Sequence, residues 1–160
     1  MIQRRPVLVT LMLIVITTSA TAGLGAIISG GANDPWYAAL VKPALTPPDM
    51  VFAIVWPILF TLMTLGVVLV RITAGSFNAA SSALGLYFTQ LAMILAWVWL
   101  FFGFHQSALA MVALIALWLL VTAMMRSFAQ HSVAAAILQI PYILWLTFEA
   151  YLNGAILGLN

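Results

Sequence analysis

Charge is what this sequence has least of. Only 5% of its 160 residues are charged, five Lys or Arg against three Asp or Glu, where a soluble domain carries about 25%. Cysteine is absent, which excludes a disulfide framework, a thiolate metal site and a Cys nucleophile. The net charge of +2 rests on scattered residues, with no basic cluster beyond Arg4-Arg5, so no nucleic-acid partner is implied. There is no Walker A loop, Gly-rich dinucleotide loop, HExxH or Ser/His/Asp set. His105 and His131 stand alone in turns on opposite sides of the proposed membrane and cannot form one metal site, so neither a metal nor a required cofactor is expected.

What the chain has in excess is apolar surface. The AVILMFWYC set makes up 66% of it, and mean hydropathy is +1.20. A folded chain of this size has too little interior to hide that much from water. Its solvent is therefore expected to be the lipid bilayer. The charges mark the spans: Arg5 to Asp34 encloses 28 uncharged residues, Asp49 to Arg71 encloses 21, and Arg71 to Arg126 encloses 54. A helix needs about 20 apolar residues to cross the hydrocarbon. The spacing predicts five transmembrane helices, over about 6–29, 50–70, 80–103, 107–126 and 132–158, with one long loop at 30–49. The runs are continuously apolar rather than alternating, which disfavours strands. The expectation is an all-α integral membrane protein, a five-transmembrane-helix bundle forming a single membrane domain over residues 1–160.

Gly30-Gly31-Ala32-Asn33-Asp34-Pro35 closes the first span, and Pro47-Pro48-Asp49 opens the second. Pro57 and Pro141 lie inside helical patterns, where they kink or loosen the first turns of the second and fifth spans. Arg4, Arg5, Arg71 and Arg126 fall on one side of the membrane and Lys42 on the other, which puts the N-terminus in the cytoplasm. Arg4-Arg5 followed by an apolar run and Ala20-Thr21-Ala22 also fits a cleaved signal peptide. The run continues to Ile28, which favours a span.

Six tryptophans are many for this length. Trp36, Trp99 and Trp118 suit an interfacial belt. Trp56, Trp97 and Trp145 lie deeper, where aromatic rings either pack helices together or line a flat apolar pocket; composition does not choose between these. In the fifth span, Trp145, Phe148, Glu149, Leu152, Asn153 and Ile156 share one helical face. Glu149 is the only acid within a span. An ionisable group there faces the bundle interior or a cavity. Two roles stay open: facing a ligand, or a structural residue that is protonated or is bonded to Asn153 or a loop residue. Gln90 and Gln139 are placed to bridge helices, and Gly85/Thr89 and Gly154/Gly158 allow close helix approach.

The order Trp36-Tyr37-x-x-Leu40-x-Lys42-Pro43-x-x-x-Pro47-Pro48-x-x-Val51-Phe52-x-x-x-Trp56 resembles the TspO/MBR family, the tryptophan-rich sensory and translocator proteins. The match continues through Gly85-Leu86-Tyr87, Gln90-Leu91, Trp97, Phe101-Phe102-Gly103 and Leu117-Trp118. It ends with Pro141-Tyr142-x-x-Trp145-x-x-Phe148-x-x-Tyr151-Leu152-Asn153. The resemblance implies a five-helix bundle, a homodimer, and a pocket opening toward the first loop. It implies tetrapyrrole ligands (porphyrin or haem) and isoquinoline-type small molecules. Carried over by position, the ligand would meet Trp36, Tyr37, Pro47, Trp56, Phe60, Trp97, Phe101 and Trp145, with Lys42 in the capping loop; Phe148 and Glu149 join them from the helix face above. The implied function is a tetrapyrrole-binding sensor, regulator or carrier in a bacterial inner membrane. The alternative is an enzyme that degrades porphyrin or haem with light or oxidant, with Trp56 and Trp145 as the candidate catalytic residues. The chain departs from the family pattern at Leu45, where Trp is common, at Ile94, Val98 and Ala113, where polar or acidic residues are common, and at Glu149, where Ala is usual.

Overall fold

The computed structural model describes residues 4–30 and 34–160, with side chains of the first helix described from Val7 onward. The Gly31-Ala32-Asn33 part of the stretch expected to close that helix, and the Arg4 and Arg5 side chains, lie outside the described residues. Seven α-helices follow in order: α1 (Arg4–Ser29), α2 (Pro35–Ala39), α3 (Asp49–Thr73), α4 (Phe77–Val98), α5 (Ser107–Ala129), α6 (Val133–Ile137) and α7 (Ile140–Leu159), with no strand among the described residues. Five helical stretches are long and apolar enough to cross a membrane, with α6 and α7 forming the last together. Their outer faces expose Leu8, Ile27, Val112 and Leu144, side chains that lipid rather than water accommodates. The protein is an all-α integral membrane protein.

The helix ends follow from local chemistry. Gly30 and Gly75 take positive φ just beyond α1 and α3, the left-handed stop that glycine adopts without a Cβ clash. Ser76 accepts a hydrogen bond from the Ala79 amide (3.1 Å), which starts α4 three residues earlier than expected. Ser132 accepts from the Ala135 amide (3.2 Å) and caps α6, as its position in the sequence suggested.

Three expectations need correction. The 30–49 segment is not a plain loop: Asp34 accepts from the Tyr37 amide at 2.6 Å and nucleates α2. The third span does not stay α-helical to residue 103. It widens at Trp99–Gly103 into a π turn, in which the Phe104 amide donates to the Trp99 carbonyl. The fifth span breaks between α6 and α7. Pro141 has no N–H to continue the ladder and sits in the first turn of α7, where that absence costs least. At the break the Gln139 side-chain amide donates to the Ala135 carbonyl (3.2 Å) and reaches Leu62 of α3 (3.5 Å), re-satisfying backbone that lipid cannot.

At the centre, α4 packs on α1, α3 and α5, and α7 packs mainly on α5, while α3 and α7 scarcely touch. Buried polar contacts fix these faces. Thr18 gives its hydroxyl hydrogen to the Ile14 carbonyl (2.7 Å), so the Tyr87 phenol donates to Thr18 across α1 and α4 (2.6 Å). The fully buried Tyr142 donates to Gln90 Oε1 (2.9 Å), tying α7 to α4. Such bonds specify helix register in apolar surroundings, where a stranded polar group is costly.

Candidate functional site

The separation of α3 from α7 leaves a cavity of about 650 Å³ among α1, α2, α3, the end of α4 and α7. Four faces build it. From α1 come Thr21, Ala22, Gly25, Ala26 and Ser29, small residues that set the wall back. From α3 come Asp49, Met50, Phe52, Ala53, Trp56, Pro57 and Phe60. From α4 and its π turn come Ile94, Trp97, Val98, Phe101 and Phe102, and from α7 come Glu149, Leu152 and Ile156. Tyr37 of α2 completes the lining. The π turn sets the spacing of the two adjacent phenylalanines; such a bulge recurs at functional sites because it redirects side chains without ending the helix.

The walls are aromatic. Trp56 stacks with Trp97 at 6.2 Å and 30°, and Phe60 lies 5.5 Å from Trp56. Phe101 meets Phe102 edge to face at 4.9 Å. Tyr37 packs against both phenylalanines, at 6.2 and 5.5 Å. Cavities of several hundred Å³ with mostly apolar lining and a few polar groups are the usual form of small-molecule sites. The polar groups are few. Asp49 stands at the first turn of α3, where the helix dipole favours an anion. Burial, and then the negative charges of Glu149 and Asp49, push the Tyr37 phenol up to about 12, so it is a neutral O–H donor at ordinary pH.

Glu149 is 6% exposed, and its Oε1 has no hydrogen-bond partner among the described residues. The structural role in which it bonds Asn153 is not realised. Asn153 instead donates to the Ser107 carbonyl at the start of α5 (3.0 Å). At about 100° per residue, Glu149, Leu152 and Ile156 occupy a narrow arc of α7 and line the cavity, while Asn153 falls to one side of that arc.

The residues expected at the site divide into three groups. Tyr37, Trp56, Phe60, Trp97, Phe101 and Glu149 line the cavity together. Trp145 and Phe148 do not: they border a shallow groove of about 370 Å³ along the seam of α3 and α7, with Val55, Ile58 and Leu144. Trp145 backs the cavity wall from there, its ring 5.6 Å from that of Phe52. Trp36, Lys42 and Pro47 lie outside the lining. Trp36 packs on Phe101 at 5.3 Å and stacks on His105 at 4.3 Å, joining α2 to the turn after α4. Lys42 Nζ lies 4.4 Å from the centre of the Tyr37 ring, and so approaches the cavity through Tyr37. Trp118 is elsewhere, donating to Thr147 at 3.0 Å.

Sequence reasoning missed several contributors. Phe52 and Phe102 were legible as part of the matched motifs; the small α1 residues carried no signal, because a wall made by the absence of bulk reads as an ordinary apolar span. It also missed the clamp above the cavity. The Asn160 side chain accepts from the Val41 amide (3.0 Å) and donates to the Val41 carbonyl (3.1 Å), pinning the segment after α2 to the end of α7. Ile94 and Val98, departures from the family pattern, make the α4 wall apolar. Ala113 is a buried α5 residue outside the lining.

Comparison with known proteins agrees with this architecture. Residues 10–159 match the TspO/MBR family. The tryptophan-rich protein TspO of Chlorobaculum tepidum is 37% identical over 125 residues, 78% of this chain and 79% of its own. Protein CrtK of Rhodobacter capsulatus is 34% identical over 152 residues, 94% of this chain and 93% of its own. The translocator protein of Bos taurus is 38% identical over 131 residues, 81% of this chain and 78% of its own. With nearly the whole length matched by the family and by relatives of similar size, the chain belongs to the TspO/MBR family.

Proposed function

We propose that this protein binds a tetrapyrrole, a porphyrin or haem, in the cavity among α1, α3, α4 and α7, and acts as a sensor, regulator or carrier of it. The observation that carries the reading is the cavity itself: about 650 Å³, walled by Tyr37, Phe52, Trp56, Phe60, Trp97, Phe101 and Phe102. Stacked aromatic faces suit a planar macrocycle. Lys42, at the Tyr37 ring, is the cation available to a propionate near the rim. Relatives named tryptophan-rich sensory protein and translocator protein support sensing and carriage as the roles to test first. An isoquinoline-type ligand would use the same walls.

The membrane is a bacterial inner membrane with the N-terminus cytoplasmic, by the asymmetry of basic residues. The working form is a homodimer. Gly85 and Thr89, both exposed on α4 with no atom near the Gly85 Cβ position, offer a surface where two copies can approach closely.

The test is titration of protoporphyrin into the purified protein in lipid nanodiscs, read by the shift of the Soret band. Saturable binding that weakens in Trp97→Ala and Phe101→Ala but not in Trp118→Phe is expected. Uptake equal to that of empty nanodiscs would refute tetrapyrrole binding, and loss confined to Trp118→Phe would move the site to another face. Illumination of the same samples separates a binding protein from a degrading enzyme, because only the latter converts pigment with turnover.

A further inference from the structure

The cavity has a charge pattern that a propionate-bearing ligand does not use. Two of its lining residues, Glu149 and Asp49, are acids, and no Lys, Arg or His lines it. Glu149 is 94% buried by its 6% exposure, and Oε1 has no partner among the described residues. Asn153, one turn on, is committed to Ser107. The indoles of Trp56 and Trp145 are the only donors directed toward the carboxyl among the described residues, and Trp145 Nε1 falls short of a full hydrogen bond. Lys42 is held over the Tyr37 ring. A buried carboxyl oxygen left without a donor is expensive, and in a membrane span such a group marks a ligand or ion pathway more often than a fold constraint.

We propose that the cavity is a site for an aromatic organic cation, with Glu149 as counter-charge and the Trp56 and Trp97 rings as the surfaces beside the charged group. The proposal goes beyond tetrapyrrole binding and does not depend on it. A quaternary or protonated amine meets a carboxylate in low dielectric, where their attraction is strongest. The indole faces add cation–π attraction, and Phe52, Phe60 and Phe101 take the apolar body. An acid beside stacked aromatics and free of basic neighbours favours such a ligand over an anion of equal size. Lys42 and Glu149 then divide the site: an anionic group is held at the rim, a cationic one against α7.

The probes are (2-naphthylmethyl)trimethylammonium and 2-neopentylnaphthalene, which have the same shape and differ by carbon in place of charged nitrogen. Each is titrated into the full chain in nanodiscs, read by tryptophan quenching and corrected for uptake by empty nanodiscs. Wild type is expected to bind the cation at least about tenfold more tightly than the isostere, and Glu149→Gln to bring the ratio near one while changing isostere affinity by less than about twofold. A ratio near one in wild type, or one unchanged in Glu149→Gln, would overturn the proposal. Should Glu149→Gln fail to fold, the wild-type ratio decides alone. Protoporphyrin titration of the same samples keeps the readings apart. Porphyrin binding without cation preference sinks only this inference, and cation preference without porphyrin binding sinks only the tetrapyrrole reading.

Discussion

Replacing Gly66 by Ala tests the packing that holds the α6–α7 break against α3. A Cβ on Gly66 would collide with the Gln139 amide nitrogen and stand 3.1 Å from the Ala135 carbonyl oxygen. Gln139 is fully buried and cannot swing into solvent. To make room it must give up its bonds to Ala135 and Leu62, stranding a buried amide at a cost of about 1–3 kcal/mol. The backbone contact adds overpacking strain of at least about 1 kcal/mol. Against this, alanine in place of a helical glycine returns up to about 1 kcal/mol. The losses win, and Gly66→Ala should destabilise the fold by roughly 1–3 kcal/mol. Gly23, with no atom near its Cβ position, is the control: Gly23→Ala has the gain without the collision and should be neutral or stabilising. Reversible unfolding in mixed micelles, followed by tryptophan fluorescence, measures both. A double-mutant cycle with Gln139→Ala should show that Gly66→Ala costs less once the amide is gone. If Gly66→Ala is as stable as Gly23→Ala, or its cost is unchanged without Gln139, the close approach of α3 and α6 is not as described.

Two further outcomes are expected. In an alkaline titration followed by phenolate absorbance, the component lost in Tyr37→Phe should be centred near pH 12, not the ordinary 10.0. Because the folded state holds that proton more tightly than the unfolded chain, Tyr37 should also make stability fall as pH rises from 10 towards 12; a component at ordinary pH would mean that Tyr37 stands in water. For orientation, a cysteine at Leu45, which is exposed beyond α2, should react with an impermeant maleimide in intact cells, and one at Gln130, after α5, only after lysis. The reverse pattern would invert the topology.

The spans were legible because lipid imposes one rule on every outward face, and a run of uncharged residues reports it directly. Their ends were less legible, and for local reasons. Ser76 and Asp34 act through side-chain bonds to amides three residues on, so α4 starts early and α2 exists at all. These are weak signals beside hydropathy, since Ser and Asp occur equally in turns without helices. The π turn at Trp99–Gly103 had no signature, because it depends on how α4 meets its neighbours. A Cβ on Gly103 would strike the Trp99 ring, a contact visible only once the turn has formed.

Site residues divide along the same line. Periodicity put Trp145, Phe148, Glu149, Leu152 and Ile156 on one side of α7, but it cannot say where along that side the neighbouring helix lies. Trp145 and Phe148 border the groove along α3, whereas Glu149, Leu152 and Ile156 line the cavity. That division depends on sequence at a distance. The small α1 residues from Thr21 to Ser29 leave room on the opposite wall, and the Asn160–Val41 bonds hold the capping segment across the end of α7. A buried acid in an otherwise apolar face is therefore the one site feature that a single sequence announces without its neighbours. Its cost has to be met somewhere, and only the fold shows that it faces an aromatic-walled cavity rather than a packed polar interior.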